Sequence, residues 1–505
     1  MKVLLVYPMF PETYWSFRHA LSFVGKKAAF PPLGLMTVSA MLPRSWEKRL
    51  VDMNVEKLSE SDIEWADIVF LSAMIVQQES LDKVVKLCKK LGKPVAVGGP
   101  YVSTSSELVP DADFVFVGEA ETTLPEFILD LENGTAKRIY EAPERPPLSL
   151  TPPPDLSLID VSRYTSMNIQ FSRGCPFNCE FCDIIEIYGR SPRTKSNEQM
   201  LTELEALRVA GWRGTVFIVD DNFIGNKREV RKFLPDLIEW SKHHGNPFSY
   251  LTEASVNLAE DDALMKMMQE AGFHRVFLGI ESPAAESLKE ANKSQNTKRS
   301  LLESVQKIQS YGMEVMAGFI VGFDNDPEDI FERQINFIRK SAIPLAMVGL
   351  LTALPDTQLW KRLEREGRLV HNSSGNNTDC TLNFVPKMDR EYLVNNYKLL
   401  LKKIYSPPEF YQRALDSLAR VTASAVDFRQ ANLGNVVGIF NSLTRIVVRL
   451  GVRDSERRRF WKYLFRVIRD YPGSFGNGIA LAAMGYHFRK VTEVYCEKPA
   501  LEAGF

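Results

Sequence analysis

Three cysteines lie close together in the chain, Cys175, Cys179 and Cys182, at a C-x₃-C-x₂-C spacing. The chain has six cysteines in all, so half of them fall on this one short loop. Thiolates are the preferred ligands of iron–sulfur clusters. Three cysteines on a tight loop suit a four-iron [4Fe-4S] cluster in which one iron keeps an open position. A substrate or cosubstrate can bind there, whereas a fourth cysteine ligand would close that iron.

A zinc knuckle or a redox pair is the alternative interpretation of this spacing. Zinc requires a fourth cysteine or histidine at short spacing, and none follows before His243. The run from Arg173 to Cys182, with Phe181 before the last cysteine, resembles the cluster loop of radical S-adenosylmethionine (SAM) enzymes. The resemblance implies that the amino and carboxylate groups of SAM chelate the free iron. It also implies that an electron from the cluster cleaves SAM to a 5′-deoxyadenosyl radical, and that Phe181 is a cofactor-binding residue.

The length and composition limit the class of protein. A chain of 505 residues is too long for one ordinary core, so two or three domains are expected. The net charge of −1 indicates no general attraction to nucleic acid. The sequence contains no run of eighteen apolar residues, so it predicts no membrane span. The first residues predict a strand rather than an export signal, so we expect a cytoplasmic protein, with peripheral contact at the inner membrane surface as a further option.

Short apolar strands alternate with helical patterns over residues 1–150. This alternation predicts a doubly wound parallel α/β sheet that binds its ligand at the carboxyl ends of the strands. The loops at those ends resemble the cobalamin-binding domain that precedes many radical SAM domains. The resemblance implies that they surround the corrin ring and its nucleotide tail. The residues assigned to cobalamin on this basis are Pro32, Gly34, Ser72, Gly98, Gly99, Gly118 and Glu119.

One feature departs from many cobalamin domains. Their Asp-x-His-x-x-Gly motif supplies an axial histidine, but the comparable stretch here is Asp52-Met53-Asn54 and has no histidine. The only histidine before residue 243 is His19, in a loop. We therefore predict that cobalamin is bound without a histidine axial ligand from the protein.

A Pro-rich linker, residues 151–163, leads into a second domain, residues 164–385. Six strand patterns separated by amphipathic helices predict a partial (β/α)₆ barrel with its site at the carboxyl ends of the strands. Asp220, Asp221, Glu253 and Glu281 are candidates for the methionyl ammonium or the ribose of SAM. Gly318 and Gly322 are candidates for close backbone approach to adenine. The segments around Gly279 and Gly318 resemble radical SAM motifs. Helix caps and packing glycines are the alternatives for these positions.

Residues 386–505 predict a helical C-terminal domain. The stretch 441–470 is strongly basic and carries interleaved aromatic residues. It indicates either a helix at a membrane surface or a solvated helix with salt bridges.

Four segments, around residues 72, 170–184, 219–226 and 252–259, resemble those of cobalamin-dependent radical SAM methylases, and hopanoid methylases and their relatives most closely. The resemblance implies two uses of SAM. One SAM methylates reduced cobalamin, and another gives the adenosyl radical that takes hydrogen from an unactivated carbon. The carbon radical then captures methyl from methylcobalamin. The predicted substrate is a polycyclic lipid, with a reducing partner such as flavodoxin or ferredoxin. A cyclisation or rearrangement, or methylation of a different small molecule, is the alternative.

Overall fold

The computed structural model describes residues 1–142, 144–376, 378–422 and 436–497. Its N-terminal part is a six-stranded, all-parallel sheet in the order β2-β1-β3-β4-β5-β6. Continuous apolar runs such as that of β1 form these strands because both faces of the sheet are buried under helices. The strands are β1 Lys2–Tyr7, β2 Glu47–Asp52, β3 Ile68–Ser72, β4 Val95–Gly98, β5 Phe114–Val117 and β6 Ile139–Glu141. The predicted doubly wound sheet is confirmed.

Helices on both faces of this sheet connect its strands. They are α1 Arg18–Val24, α2 Leu33–Met41, α3 Glu60–Trp65, α4 Gln78–Lys90, α5 Pro100–Thr104 and α6 Ala120–Asn133. The segment 8–32 after β1 is long and contains α1, which leaves the sheet and packs against two C-terminal helices.

The linker, residues 151–163, is not one continuous extended segment. Two single turns of 3₁₀ helix interrupt it, Leu156–Leu158 and Val161–Arg163. The side chains of Asp155 and Asp160 accept hydrogen bonds from the backbone N–H groups two residues on. Such local capping favours a turn over an extended chain.

A second all-parallel sheet of six strands follows, in the order β12-β11-β10-β9-β8-β7. Its strands are β7 Ser166–Ile169, β8 Thr215–Ile218, β9 Ser249–Ala254, β10 Phe273–Glu281, β11 Glu314–Val321 and β12 Ala346–Leu350. Its helices are α7 Ile184–Tyr188, α8 Asn197–Val209, α9 Lys227–His243, α10 Asp262–Ala271, α11 Ala285–Glu290, α12 Leu301–Ser310, α13 Ile330–Ser341 and α14 Gln358–Arg365. One helix or more separates successive strands, so the predicted partial (β/α)₆ barrel is confirmed.

The C-terminal region is helical, as predicted, over its described part. Its elements are α15 Arg390–Ile404, α16 Pro407–Thr422, α17 Val436–Ile446, a π-helical turn Val447–Arg453, α18 Arg457–Asp470 and α19 Phe475–Glu497. Residues 423–435 and 498–505 of this predicted domain lie outside the described residues. The apolar faces of α15, α16, α18 and α19 join the core of the barrel. In the described parts of the chain, no helix has the length and apolar character needed to cross a membrane.

Candidate functional site

A cavity of about 1440 Å³ lies where the carboxyl ends of the two sheets face each other. Carboxyl ends of parallel strands are the usual ligand sites of both architectures, and here the two sites merge into one. The predicted site residues that line it are Pro32, Gly34, Ser72, Gly98, Gly99, Gly118, Glu119, Asp220, Asp221, Glu253, Glu281 and Gly318. The two predicted sites, proposed from separate parts of the sequence, are thus brought together.

The cysteine loop projects from the start of the barrel beyond β7. Gly174, at φ +98°, brings the loop so close to the backbone carbonyl of Gly189 that a Cβ would lie 2.8 Å from it. The backbone N–H of Cys175 donates to that same carbonyl at 3.2 Å. Glycine is therefore required for this close approach. The start of the loop is thus held against the backbone at Gly189.

Two side-chain amides point at the sulfurs of this loop. Asn222 Nδ2 lies 3.9 Å from Cys175 Sγ, and Gln295 Nε2 lies 3.8 Å from Cys179 Sγ. Burial raises the pKa of the Cys175 and Cys182 thiols, so iron that binds them must displace protons. Within the described chain, no three acidic, histidine or cysteine side chains converge on a point suited to a single metal ion. Cysteines around a four-iron cluster each bind a different iron, so they need no common point.

The two adjacent aspartates after β8 have different surroundings. Asp220 accepts the backbone N–H of Phe171 at 2.7 Å and the hydroxyl of Ser172 at 2.5 Å, so both its oxygens hold the strand that leads to the cysteine loop. Asp221 Oδ2 is buried and has no hydrogen-bond partner among the residues that the structure describes. Burial, reinforced by Asp220 and Asp183, raises the pKa of Asp221 to about 7.

Glu253 adds a second buried carboxyl group to the cavity wall. Burial raises its pKa to about 8, and repulsion from Asp221 and Glu281 acts in the same direction. The pKa values of both carboxyl groups are raised because they are buried and form no salt bridge with the other described residues, although Arg173 partly offsets the effect at Asp221. A ligand with positive charge would do so, and the sulfonium and ammonium groups of SAM carry such charge.

Glu281 ends β10 in an unusual backbone conformation. Its φ is +62°, and the pairing of β10 with β11 shifts register between Gly279 and Glu281. The bulge directs the Glu281 carboxylate to Lys293, with Oε1 and Nζ 2.5 Å apart. A Cβ on Gly279 would lie 2.6 Å from Lys293 Nζ and 2.5 Å from the carboxylate. Gly279 does not line the cavity; it makes room for this ion pair.

The two glycines of β11 lie in different places. Gly318 lines the cavity, where a Cβ would come 3.1 Å from the ring of Phe277. Gly322, at φ +104°, faces Leu393 of α15 instead, and its N–H donates to Asp326 at 2.7 Å. Gly322 therefore serves packing and a turn. It does not line the cavity, unlike the predicted position beside adenine.

Four of the glycines predicted to bind cobalamin, Gly34, Gly98, Gly99 and Gly118, form part of the cavity wall on the N-terminal side. A Cβ at Gly34 or Gly118 would meet no atom within 4 Å, so both positions leave open space. Gly99, at φ +95°, packs against Ser72, whose hydroxyl would lie 2.6 Å from a Cβ. Backbone without a side chain can approach a flat macrocycle closely at these positions. The residues present fit a corrin ring in this respect.

His19, the only histidine before residue 243, is not among the residues that line the cavity. His19 Nε2 lies 2.7 Å from Glu12 Oε1, and its backbone N–H donates to His487 of α19. Asn54, in place of the motif histidine, accepts the N–H of Phe10 at 2.9 Å. Absence of a histidine axial ligand stays a prediction.

Glu119 is buried in an ion-pair network that joins the two halves. Its two carboxylate oxygens accept hydrogen bonds from Arg173 and Arg193, each at 2.6 Å. Arg173 also binds Glu121 at 2.9 Å and directly precedes Gly174 of the cysteine loop. The Glu119 carboxylate, predicted to bind cofactor, thus links the cobalamin-side loop to the cysteine loop.

Sequence reasoning missed three parts of the site. One is Lys293 with its neighbour Gln295, for which a polar run after α11 was the only signal. The second is the segment 9–30, which forms a cavity wall, and the third is the loop at Gly375, Asn376 and Thr378. The segment 9–30 and the loop at Gly375 carry no sequence motif. They reach the cavity only through contacts with residues distant in the sequence.

Comparison with known protein families assigns the two sheets to known domains. Residues 27–128 match the B12 binding domain, and residues 169–338 match the radical SAM superfamily. Residues 357–500 match a domain of unknown function, DUF4070. The fold and the site define a radical SAM enzyme that carries a cobalamin domain.

Similar proteins extend over nearly the whole chain. It is 44% identical to an uncharacterized methyltransferase of Synechocystis, over 98% of this chain and 92% of the relative. It is 35% identical to the hopanoid C-2 methylase of Rhodopseudomonas palustris, over 96% of this chain and 92% of the relative. The structure of OxsB, a cobalamin-dependent SAM radical enzyme, matches with a TM-score of 0.61 at 17% identity, covering 98% of this chain and 80% of OxsB.

The chain belongs to the cobalamin-dependent radical SAM methyltransferases. Its cofactors are a [4Fe-4S] cluster, SAM and cobalamin, as predicted from the sequence. The predicted alternative of a cyclisation or rearrangement is not retained.

Proposed function

We propose that this methyltransferase acts on an unactivated carbon of a polycyclic, hopanoid-like lipid. The observation that carries the proposal is the apolar, aromatic wall of the shared cavity. The identity of 35% with a hopanoid C-2 methylase over 96% of the chain supports the same substrate class. When bound, the cofactors supply the radical and the methyl group; the chain itself binds, orients and excludes water.

The aromatic wall is built from both halves of the molecule. Phe30 and Phe217 have ring centroids 5.3 Å apart, and Trp15 and Phe277 have centroids 5.2 Å apart. Each pair joins the segment after β1 to a barrel strand. Met347 of β12 also lines the cavity. A fused-ring hydrocarbon gains about 25 cal/mol for each Å² of apolar surface that such a wall removes from water.

The size of the cavity also supports this substrate class. Pockets for a single small molecule are roughly 300–1,000 Å³. The cavity here, about 1440 Å³, exceeds that range. The additional volume is what an enzyme needs when two cofactors and a bulky substrate meet in one space.

We assign the site residues as follows. Cys175, Cys179 and Cys182 hold the cluster, and Phe181 packs beside it. Asp221 and Glu253 receive the positive groups of SAM, because both line the cavity as buried carboxyl groups with raised pKa values and form no salt bridge in the described chain. Glu281 binds ribose or ammonium, and Gly318 lets adenine approach β11. The residues assigned to cobalamin are Pro32, Gly34, Ser72, Gly98, Gly99 and Gly118, largely through their backbone. A one-electron donor such as flavodoxin or ferredoxin reduces the cluster.

The enzyme reaches its lipid by docking on the cytoplasmic face of the inner membrane. On α18, Trp461, Phe465 and Ile468 are 46%, 63% and 52% exposed, and their spacing places them on one face of the helix. Exposed arginines at 457 and 458 and Lys462 stand beside them. Each basic residue near an anionic surface contributes about 1 kcal/mol. Several together support reversible docking without a membrane span.

The substrate is tested by expressing the gene in a hopanoid-producing bacterium that lacks it and feeding methyl-labelled methionine. We expect one labelled methyl on a polycyclic lipid only in cells that carry the gene. A matched strain carrying a Cys175→Ala, Cys179→Ala, Cys182→Ala variant gives the background. Label that enters only a water-soluble peptide, sugar or nucleotide would refute the lipid proposal and leave the methyltransferase class intact.

The docking surface is tested by flotation with anionic liposomes at low salt. We expect the double variant Trp461→Glu, Phe465→Glu to stay unbound while the native protein floats. The control is Leu129→Glu, because Leu129 is 61% exposed on α6 of the N-terminal domain. Equal flotation of all three proteins would contradict docking through α18.

A further inference from the structure

The turn between α11 and α12 brings buried polar groups beside the cysteine loop. Lys293, Gln295 and Asn296 are only 9%, 7% and 2% exposed, although all three are polar residues that usually lie at the surface. The backbone N–H of Glu180, between Cys179 and Cys182, donates to the carbonyl of Ala291 at 3.0 Å. The turn and the cysteine loop are therefore joined directly.

Two of these side chains are aimed at the cluster region. Gln295 Nε2 lies 3.8 Å from Cys179 Sγ and is placed to donate to it. Lys293 Nζ lies 5.8 Å from the centre of the Phe181 ring, on the same loop. The barrel thus presents an amide donor and a cation to one side of the three cysteines.

The bulge at the end of β10 holds Lys293 in place. Asn296 Nδ2 donates to the carbonyls of Gly279 and Ile280 at 2.9 and 3.0 Å, which fixes the irregular backbone. The bulge then sets the Glu281 carboxylate against Lys293. The absent Cβ of Gly279 provides the space. The left-handed backbone of Glu281 and the glycine at position 279 are both required for this placement of the ion pair.

The charge of Lys293 is secured despite its burial. Desolvation lowers its pKa, but Glu281 together with the sulfurs of Cys179 and Cys182 raises the pKa further, so that the net shift is upward. Burial therefore does not remove the positive charge of the ammonium group, which the Glu281 carboxylate holds at 2.5 Å on the side of the cysteine loop.

We propose that Lys293 and Gln295 are positioning residues that raise the reduction potential of the [4Fe-4S] cluster. One-electron reduction adds a negative charge to the cluster and its thiolates. A fixed cation and an N–H···S hydrogen bond stabilise that added charge, and groups around a metal centre adjust its potential in this way. The inference rests on the cluster at Cys175, Cys179 and Cys182, and it is independent of which lipid is methylated.

The test is a redox titration of the full-length, anaerobically reconstituted protein without SAM, followed by electron paramagnetic resonance of the reduced cluster. In Lys293→Met we expect the ratio of reduced to oxidised cluster at a fixed potential to fall at least tenfold. For a one-electron couple this is a shift of about 59 mV toward more negative potential. Gln295→Leu should shift in the same direction but less.

Three further variants separate the effect of the Lys293 charge from the effects of altered packing and of an unpaired Glu281. Lys293→Arg keeps the cation and should keep the native potential. Ser294→Ala, on the exposed side of the same turn, should do likewise. The double variant Lys293→Met, Glu281→Gln removes both charges and should lie between Lys293→Met and the native protein.

Two results would overturn the proposal. One is an unshifted potential in Lys293→Met with full iron content. The other is a double variant with the native potential, because the shift would then come from an unpaired Glu281 alone. If Lys293→Met fails to fold or to hold iron, Gln295→Leu decides the question, and an unshifted potential in that variant refutes the proposal.

Discussion

The buried carboxyl groups of the cavity differ between its N-terminal side and its barrel side in whether they form salt bridges. On the N-terminal side, the buried carboxylates Glu119 and Glu121 are both paired with Arg173. Burial raises the pKa of Glu121, but Arg173 outweighs it and brings that pKa below its usual range. On the barrel side, no salt bridge joins Asp221 or Glu253 to a cation among the described residues. Burial raises their pKa values to about 7 and about 8, although Arg173 lowers that of Asp221 in part.

The difference fits the ligand that we propose for each wall. On the N-terminal side, Arg173 neutralises Glu119 and Glu121, and Gly34 and Gly118 leave open space, which suits a large ring recognised by shape. On the barrel side, Glu281 is paired with Lys293, but Asp221 and Glu253 form no salt bridge in the described chain, which suits a positive ligand recognised by charge. If each wall binds its proposed cofactor in this way, we expect four effects of decreasing size.

Removal of the cluster ligands in the barrel should abolish methyl transfer and leave cobalamin binding by the N-terminal domain intact. The triple variant of Cys175, Cys179 and Cys182 to alanine should lose its iron, which we expect at about four atoms per chain in the native protein. Methyl transfer should fall to background while cobalamin still binds. Iron and sulfide analysis with an absorption spectrum of bound cobalamin checks this. A Cys88→Ala control should keep its iron, and a triple variant that keeps its cluster would refute the ligand assignment.

The N-terminal wall is tested by filling its open space. Gly34→Phe should weaken cobalamin binding at least tenfold, because the ring occupies space that the cofactor needs. Gly34→Ala is the matched control: its Cβ meets no atom within 4 Å, and alanine stabilises a helix by about 0.5–1 kcal/mol relative to glycine. Equilibrium binding of cobalamin and iron content are measured together. Native cobalamin affinity in Gly34→Phe would show that this wall is not the corrin site.

The charge of the barrel wall is tested at Asp221. Asp221→Asn keeps the shape and removes the charge, so SAM affinity should fall by about 1.5–3 kcal/mol, the value of a hydrogen bond to a charged group. That corresponds to roughly 10- to 150-fold. Titration calorimetry under anaerobic conditions measures it, with the exposed Asp111→Asn as control. Loss of cobalamin affinity by the same factor would mean that the two walls are not separate in function.

The pH dependence of SAM binding should be the smallest effect. The ligand-free pKa values of about 7 and about 8 mean that Asp221 and Glu253 are partly protonated near neutral pH. A cation binds the ionised forms, so SAM affinity should rise with pH between roughly 6 and 9. The double variant Asp221→Asn, Glu253→Gln removes this rise and also corrects for the titration of the amine of SAM, whose pKa is about 7.7–8.0. Identical pH profiles would contradict the charge-based account.

Local signals predicted the two sheets, the cysteine loop and a minority of the residues that line the cavity. Apolar runs and glycines at strand ends report local structure, so they are readable from the sequence. The Lys293–Glu281 pair was not predicted because a bulge at Gly279, and not sequence spacing, turns Glu281 toward the lysine. The segment around Tyr14 was not predicted as a cavity wall because its position depends on stacking against Phe488 of α19, a contact 474 positions away.

The most direct test of the central claim is a reaction with purified, reconstituted protein. It contains deuterated-methyl SAM, cobalamin, a one-electron reductant and a hopanoid in anionic vesicles. We expect one labelled methyl group in the lipid for each 5′-deoxyadenosine formed, and no transfer by the triple cysteine variant. Formation of 5′-deoxyadenosine without label in any polycyclic lipid, while a water-soluble acceptor becomes labelled, would contradict it.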